Sequence, residues 1–517
     1  MCNFDEFSPA STAGTNDCCP ENTGSINCCS YEKVSSSQVW DFASAPHLHP
    51  MKVTVNVNKP GTAPGFIFVA PYEYYSTPTV GQTGSLIMDQ AGNPVWFRPS
   101  DKYTQNRDFK AQSYYGHPVL TLWQGTIAGT LSAHPDLPQG EPLPGAYFQI
   151  INQHYQVIRT ITAKKGYTAD NHEFIITKRN TALFLAIKHV PADLSPFGGP
   201  REGYIRNYSI QEINPETNEL VFFWDALSHV NPGYSNVPAS SAMESHNIWD
   251  PFHLNSVEEG PDTTLLISMR DMWGIYNIDK RTGNIIWQLG GKQSDFTFDS
   301  NATFSWQHHA RYRSGTKISL FNNACCGATT PPEGTSHGLI LQLDYTNMTA
   351  KECQSYYHDP ALYVDHQGNM QQLPNENQFI GWGVKPFLSE FKYAGNTKNN
   401  PSLNLIYDMQ MPNHTYRAFK NEWVGLPLHP PDIAVETIRK DKSIVFASWN
   451  GSTETAAWQV LAGSTPYTMS VAVSTTPRTG FETAIPIYAA GPYFLVHALD
   501  SRGRVIGRSR MVYPCNI

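Results

Sequence analysis

A strand–turn–strand pattern that returns at a fixed interval constrains this chain more than any other feature. Leu86-Ile87-Met88-Asp89 passes through Gly92-Asn93 into Val95-Trp96-Phe97, which reads as an apolar strand, a tight turn and a second strand. The pattern returns as Tyr276-Asn277-Ile278-Asp279, then Thr282-Gly283-Asn284, then Ile285-Ile286-Trp287, and more weakly as Glu212-Ile213-Asn214, Thr217-Asn218-Glu219 and Leu220-Val221-Phe222. Looser copies centre on Asn152, Asp344 and Asp408, so six positions recur at ~62–65 residues. A unit of that length built from short strands cannot bury both faces until neighbours stack on it. The spacing therefore predicts an all-β chain whose main body is a six-bladed β-propeller, one four-stranded sheet per blade. Asp89, Asp279 and Asp344 read as turn residues.

Composition agrees with that architecture. The chain has 517 residues, 40% of them hydrophobic, with 12 Trp, enough to bury a large core. Only 15% are charged, and Gly, Pro, Tyr and Thr are plentiful, which favours strands and turns over helices. A net charge of −8 without a clustered Lys/Arg field argues against a nucleic-acid partner. No apolar run approaches the ~20 residues that span a bilayer, so no membrane span is expected. After Pro427 and Pro430-Pro431 the texture changes to short alternating strands: Ser443 to Ser448, Ala457 to Leu461, Thr468 to Val473 and Tyr493 to Ala498. Turn clusters separate them, as in an immunoglobulin-like β-sandwich. The organisation expected is a Cys-rich N-terminal segment over 1–45, the propeller over 46–425 and the sandwich over 430–517.

Cys2, Cys18, Cys19, Cys28 and Cys29 crowd the start; Cys325, Cys326, Cys353 and Cys515 complete a set of nine. The first five read as a loop segment stapled by disulfides, since adjacent Cys pairs lack the CxxC and His spacing of a zinc knuckle. The opening Met-Cys-Asn-Phe shows neither a basic n-region nor an apolar h-region and reads as a mature sequence. With the cysteines, the sequons at Asn207, Asn301, Asn347, Asn413 and Asn450 point to a secreted or lumenal glycoprotein.

A second pattern lies inside the repeat. Asn171-His172-Glu173-Phe174 is followed by an apolar strand from Ala182 to Ile187, Phe252-His253-Leu254-Asn255-Ser256 by Thr264 to Ser268, and Gln307-His308-His309-Ala310 by Lys317 to Phe321. Arg107-Asp108-Phe109 is the corresponding stretch of the first blade. Each motif would occupy the innermost strand of its blade, where equivalent positions converge on the axis. That places His172, His253 and His308 together, with Arg270 at the end of a neighbouring strand. Trp123, Phe252, Met269, Trp273 and Trp306 flank these motifs and could wall the channel, although inter-blade packing would use them equally well. Glu173 and Asp250 read as groups that orient backbone or imidazoles. Three imidazoles could hold zinc with one open position, but Arg270 beside them would repel a dication, so no metal is expected.

The stretches GTAPGFIFVAPYE from Gly61, LIMDQAGNPVWF, NHEF, WDPFHLNSV, TGNIIWQLGGKQSDFTF, FSWQHHARY, NENQFIGWG and SWNGSTETAAWQVL, in this order, resemble the fungal arylsulfotransferase-like family from about residue 60 to the end. The resemblance implies a six-bladed propeller with a small β-sandwich. In sulfotransferases of this kind the His of the QH motif carries the sulfuryl group, helped by two further His and an Arg. Those roles fall on His308, His172, His253 and Arg270. Two departures stand out: Asp271 where the family has His after the Arg, and His309 where it has Asp after QH. His309 is thereby counted among the substrate contacts. A carboxylate at Asp271 would oppose a sulfate ester if it reaches the channel, and would be neutral if strand alternation turns it away.

The fungal branch also resembles enzymes that join a tropolone-derived quinone methide to a sesquiterpene by a hetero-Diels-Alder reaction. The activity expected from the sequence is that cofactor-free cycloaddition of a small aromatic metabolite with a terpene. A channel His would assist loss of water, Arg270 would make the heterodiene electron-poor, and proximity would supply up to ~7–11 kcal/mol. The alternatives are aryl sulfotransfer through a sulfohistidine at His308 and a non-catalytic binding propeller.

Overall fold

The computed structural model describes residues 38–73, 78–101, 103–128, 141–326, 334–393, 403–439, 441–489 and 491–513. The fold is all-β: among the described residues, strands lie in mostly antiparallel sheets, with parallel pairing only of Ile248–Trp249 to Gly203–Ile213 and of Thr297–Phe298 to Thr349–Tyr357, and turns and four short 3-10 segments join them. Cys2, Cys18, Cys19, Cys28, Cys29 and Cys515, on which the stapled N-terminal segment was expected, lie outside the described residues.

Six sheets are meanders of consecutive strands. Their first strands are β1 (Gln105–Tyr114), β2 (Thr168–Ile176), β3 (Leu254–Glu259), β4 (His308–Ser314), β5 (Asn369–Gln372) and β6 (His414–Asn421). The sheet begun by β6 is completed by Phe66–Tyr72, Gly84–Met88 and Pro94–Pro99, so its first strand comes from far down the chain and its other three from near the start. That pairing ties the two ends of the region into one sheet. Each first strand packs against the first strands of the sheets on either side, and the order β1, β2, β3, β4, β5, β6 returns to β1. Apolar residues of adjacent sheets interleave: Leu185 and Tyr208 share a core with Val257 and Ile267, and Leu266 and Ile275 share one with Leu320 and Leu339.

The repeating turns follow from the sequence. Asp89, Asn152, Asn214, Asp279 and Asp344 each end a third strand, and each side chain accepts backbone N–H groups two to four residues on, fixing the hairpin to the fourth strand. Asp408 differs. It sits within Leu405–Gln410, and its carboxylate accepts from Asn56 and Ser389 and meets His358 at 3.1 Å. It is a buried strand residue rather than a turn, because the sheet begun by β5 carries a longer connection between Phe387–Phe391 and Leu405–Gln410 and takes Thr54–Asn58 as a fifth strand.

The C-terminal region holds a three-stranded sheet (Asp432–Arg439, Lys442–Ser448, Glu482–Ile487) and a four-stranded one (Ala457–Gly463, Ser470–Pro477, Tyr493–Leu499, Val505–Arg508). They share a core of Val445, Trp458, Val460, Ile485 and Phe494. Asn450 exchanges two hydrogen bonds with the Phe97 backbone, and the Tyr155 hydroxyl donates to Gly451 O, which anchors this region to the first two sheets.

Candidate functional site

The six first strands are irregular where the side chains matter. In β1 the register against the next strand gains a residue between Arg107 and Lys110, in β4 between His308 and Arg311, and in β2 Asp170 to His172 fall in the shifted stretch. Asp108, His253, His309 and Gln367 take positive φ. A bulge of this kind turns a side chain away from the strict alternation of a strand and commonly re-aims it into a site. Two levels result. Arg107, His172, His253, His308 and Gln367 line a cavity of about 200 Å³, and Asp108, Glu173, His309 and Arg417 are buried beside it.

The buried level is an ion cluster. Glu173 meets Lys110 at 2.9 Å, Arg417 at 3.1 Å and Arg311; Asp108 meets Lys110 at 2.6 Å and Arg417 at 3.0 Å. Burial works against ionisation of Glu173, but Arg311, Arg417 and Lys110 together hold its carboxyl well below the ordinary range. These groups satisfy one another and cross-link four sheets.

In the cavity, each imidazole has its own support. The His308 ring is 1% exposed; its Nδ1 lies 2.7 Å from Asn323 Oδ1, and Gln367 N–H donates to its Nε2 at 3.2 Å. Those partners place the proton on Nδ1 and the lone pair on Nε2. Burial pushes this imidazole well below its ordinary value, Arg270 adds to the effect, and the Asn323 bond opposes it, so His308 is neutral. His172 Nδ1 lies 2.6 Å from Asp170 Oδ1; burial lowers its pKa and Asp170 pulls it back only in part. His253 Nδ1 lies 2.9 Å from Asp250 Oδ2, and its ring stands edge-on to His172 at 5.1 Å. The expected convergence of these three histidines occurs.

Arg270 donates to Asp271 Oδ1 at 2.7 Å and to Asp365 O at 3.0 Å, with its guanidinium 4.6 Å over the Trp306 ring. Asp271 thus reaches the site, at 4.0 Å from His253 as well, and burial raises its pKa against the pull of Arg270 and His253. Asp250 is the opposite case: burial opposes its ionisation, but His253 and Arg206 hold it well below the usual carboxylate range.

The residues expected to wall the channel sit elsewhere. Trp123, Phe252 and Met269 are fully buried core side chains, with Trp123 donating to Ala169 O, and none lines the cavity. Trp273 stacks edge-on against Trp306 at 5.3 Å, and Trp306 underlies Arg270. His309 is buried off the cavity, its Nδ1 3.1 Å from Met370 O. Among the sequons, the Asn207 and Asn413 amides are buried and donate to Asp225 and Val80, bonds a glycan would have to displace. Asn450 is half-buried with its amide on Phe97 O, whereas Asn301 and Asn347 are exposed. Asp250, His253 and Asp271 come close enough to share an ion, but Arg206 and Arg270 already neutralise the two carboxylates.

Several cavity groups were not singled out in the sequence. Arg206, on Gly203–Ile213, is held by Asp250 at 3.0 Å and Glu141 at 2.7 Å. Asp170 two residues before His172, and Asn323 fifteen after His308, fix imidazoles; only the Asp-x-His spacing was readable in advance. Arg107 stood in the aligned motif but was given no role.

Residues 146–400 match the family model described as arylsulfotransferase. That span is just under half of the chain and contains His172, His253, Arg270 and His308. No curated protein matches the sequence. Solved structures similar to it include a protein of unknown function from Bacteroides caccae (10% identity, TM-score 0.39, 69% of this chain and 98% of that one) and the periplasmic gluconolactonase PpgL of Pseudomonas aeruginosa (10%, 0.36, 87% and 96%). Virginiamycin B lyase from Staphylococcus aureus is similar at 9% identity with a TM-score of 0.24, over 66% of this chain and 84% of that one. Likeness at these scores decides nothing about this chain.

Proposed function

We propose that this chain is a sulfuryl-transferring enzyme of arylsulfotransferase type, built on a six-bladed propeller over 46–425 with a sandwich over 430–517. The observation that carries the reading is His308: a neutral imidazole lining the cavity with Arg270, its proton tied to Asn323 and its Nε2 lone pair taking the Gln367 N–H. Nε2 attacks the sulfur of an aryl sulfate; the S–O bond to the aryl oxygen breaks, an N–S bond forms, and the phenolate leaves. The Gln367 N–H now on Nε2 is released and becomes a donor for the sulfuryl oxygens, together with Arg270. His253, backed by Asp250, supplies a proton to the leaving phenolate and in the reverse half-reaction takes one from the acceptor phenol. Asp271 moderates Arg270, so an anionic donor is held without being trapped.

Cycloaddition stands second. Its terpene partner needs an apolar wall, but Trp123, Phe252 and Met269 lie in cores, Trp306 lies under Arg270 with Trp273 packed edge-on against it, and three guanidiniums line the cavity. The disulfide between Cys325 and Cys326 and the exposed Asn301 and Asn347 support an oxidising, secretory location. The test is incubation with 4-methylumbelliferyl sulfate followed by peptide mass mapping. A sulfuryl group on the His308 peptide, absent in His308→Gln, is expected. Phenol release with His308 unmodified, or release undiminished in His308→Gln, refutes the reading.

A further inference from the structure

We propose that Arg107 binds a second acidic group on the substrate, across the cavity from His308, so that the preferred aryl substrate is a dianion. This rests on reading the cavity as an anionic-aryl site. Arg107 lies on β1 and His308 on β4, three places apart in a ring of six first strands, which puts them on opposite sides. Its side chain is 7% exposed, its Nε and Nη2 share Gln105 Oε1 at 3.3 and 3.0 Å, and its guanidinium lies 4.0 Å from the Tyr72 ring centre. The Tyr72 hydroxyl in turn donates to Gln367 Oε1 at 2.8 Å, which fixes the platform.

The other two cavity arginines are charge-balanced, Arg206 by Asp250 and Glu141 and Arg270 by Asp271. Among the described residues, Arg107 forms no ion pair, although Glu73 lines the same cavity. The adjacent Asp108, at φ 50°, turns its carboxylate instead to Lys110 and Arg417. A buried cation without a counter-ion is costly, and a neutral amide and an aromatic face offset only part of that cost. The guanidinium edge left facing the cavity suits a carboxylate or sulfonate, which it can meet with paired N–H donors. The substrate class is therefore a single aromatic ring with the reacting oxygen at one end and a carboxylate or second sulfonate at the other.

The test uses probes whose C–S bond cannot transfer. Calorimetric titration of the full-length protein with benzenesulfonate, 3-sulfobenzoate and 4-sulfobenzoate is expected to show at least one sulfobenzoate binding tenfold or more tighter than benzenesulfonate. Arg107→Gln removes that difference, and Arg107→Lys keeps part of it; thermal unfolding of each variant checks that it is folded. Equal affinities in the wild-type protein, no binding of any probe, or a preference that survives in folded Arg107→Gln overturns the proposal. Because the probes do not react, a wild-type preference without sulfuryl capture on His308 would sink the transfer reading alone, and capture without a preference would sink this inference alone.

Discussion

Replacing Glu173 with Gln tests whether strands far apart in the chain meet where the structure puts them. Its carboxylate is fully buried and takes cations from β1, β4 and β6: Lys110 at 2.9 Å, Arg311, and Arg417 at 3.1 Å. Among the described residues, Asp108 is the one other carboxylate paired in this cluster, so three cations face two carboxylates. Glu173→Gln leaves three cations facing one, in a place where water cannot compensate. Removing one partner of a buried pair costs about 3–5 kcal/mol, and that is the loss expected in guanidinium unfolding followed by tryptophan fluorescence. Adding Arg311→Met restores the original excess of one positive charge and is expected to recover about 1–3 kcal/mol of it. The pH dependence has a definite sign. The folded carboxyl of Glu173 titrates below its ordinary value of 4.5, so its contribution is present above that pH and is lost as pH falls toward the folded value. The gap between wild type and Glu173→Gln therefore narrows on acidification below about pH 4.5. A variant within about 1 kcal/mol of wild type, or a double variant less stable than the single one, would refute the cluster and the closure of the sheets around it.

Two further outcomes bear on the site. Asn323→Asp puts a carboxylate against His308 Nδ1, where Asn323 Oδ1 now sits at 2.7 Å. It raises the imidazole pKa, and the acid limb of aryl sulfate cleavage is expected to move up by about one pH unit or more; an unmoved limb would contradict His308 as the neutral nucleophile. Asp271→Asn removes the carboxylate paired with Arg270 and is expected to tighten benzenesulfonate binding about tenfold at neutral pH. In wild type the same tightening appears as pH falls through the raised Asp271 value, so affinity should rise with acid in wild type and depend less on pH in the variant.

What was legible followed from local physics. The Asx turns at Asp89, Asn152, Asn214, Asp279 and Asp344 follow from side chains that bond their own backbone. The gathering of His172, His253 and His308 follows from placing equivalent positions of a repeat on one axis. The aromatic wall failed for the same local reason. Phe252 immediately precedes His253 ahead of the strand Leu254–Glu259, and it packs into the core between two sheets while His253 lines the cavity. Bulges escaped notice because an extra residue in a strand leaves no periodic mark, yet the bulges let β1 present Arg107 to the cavity and Lys110 to the ion cluster. Arg206 escaped because only pairing across a sheet brings it to Asp250, forty-four residues away.

The charge of the pocket is the feature least recoverable from a residue count. Glu73 lines the cavity, and Asp170, Asp250, Asp271, Glu141 and Asp365 lie in bonding contact with its histidines and arginines, while the guanidiniums are those of Arg107, Arg206 and Arg270. Carboxylates outnumber guanidiniums here, an excess of negative charge that would repel an aryl sulfate. Burial has already raised the pKa of Asp271, so an arriving anion finds its cheapest neutralisation in a proton on that carboxylate. Protonation frees Arg270 beside His308, while Arg107 forms no ion pair among the described residues. On the proposed reading, Asp271, the departure that seemed to oppose anion binding, would couple binding to proton uptake, and the two arginines would divide the work: Arg270 meeting the group that reacts, Arg107 the group that stays.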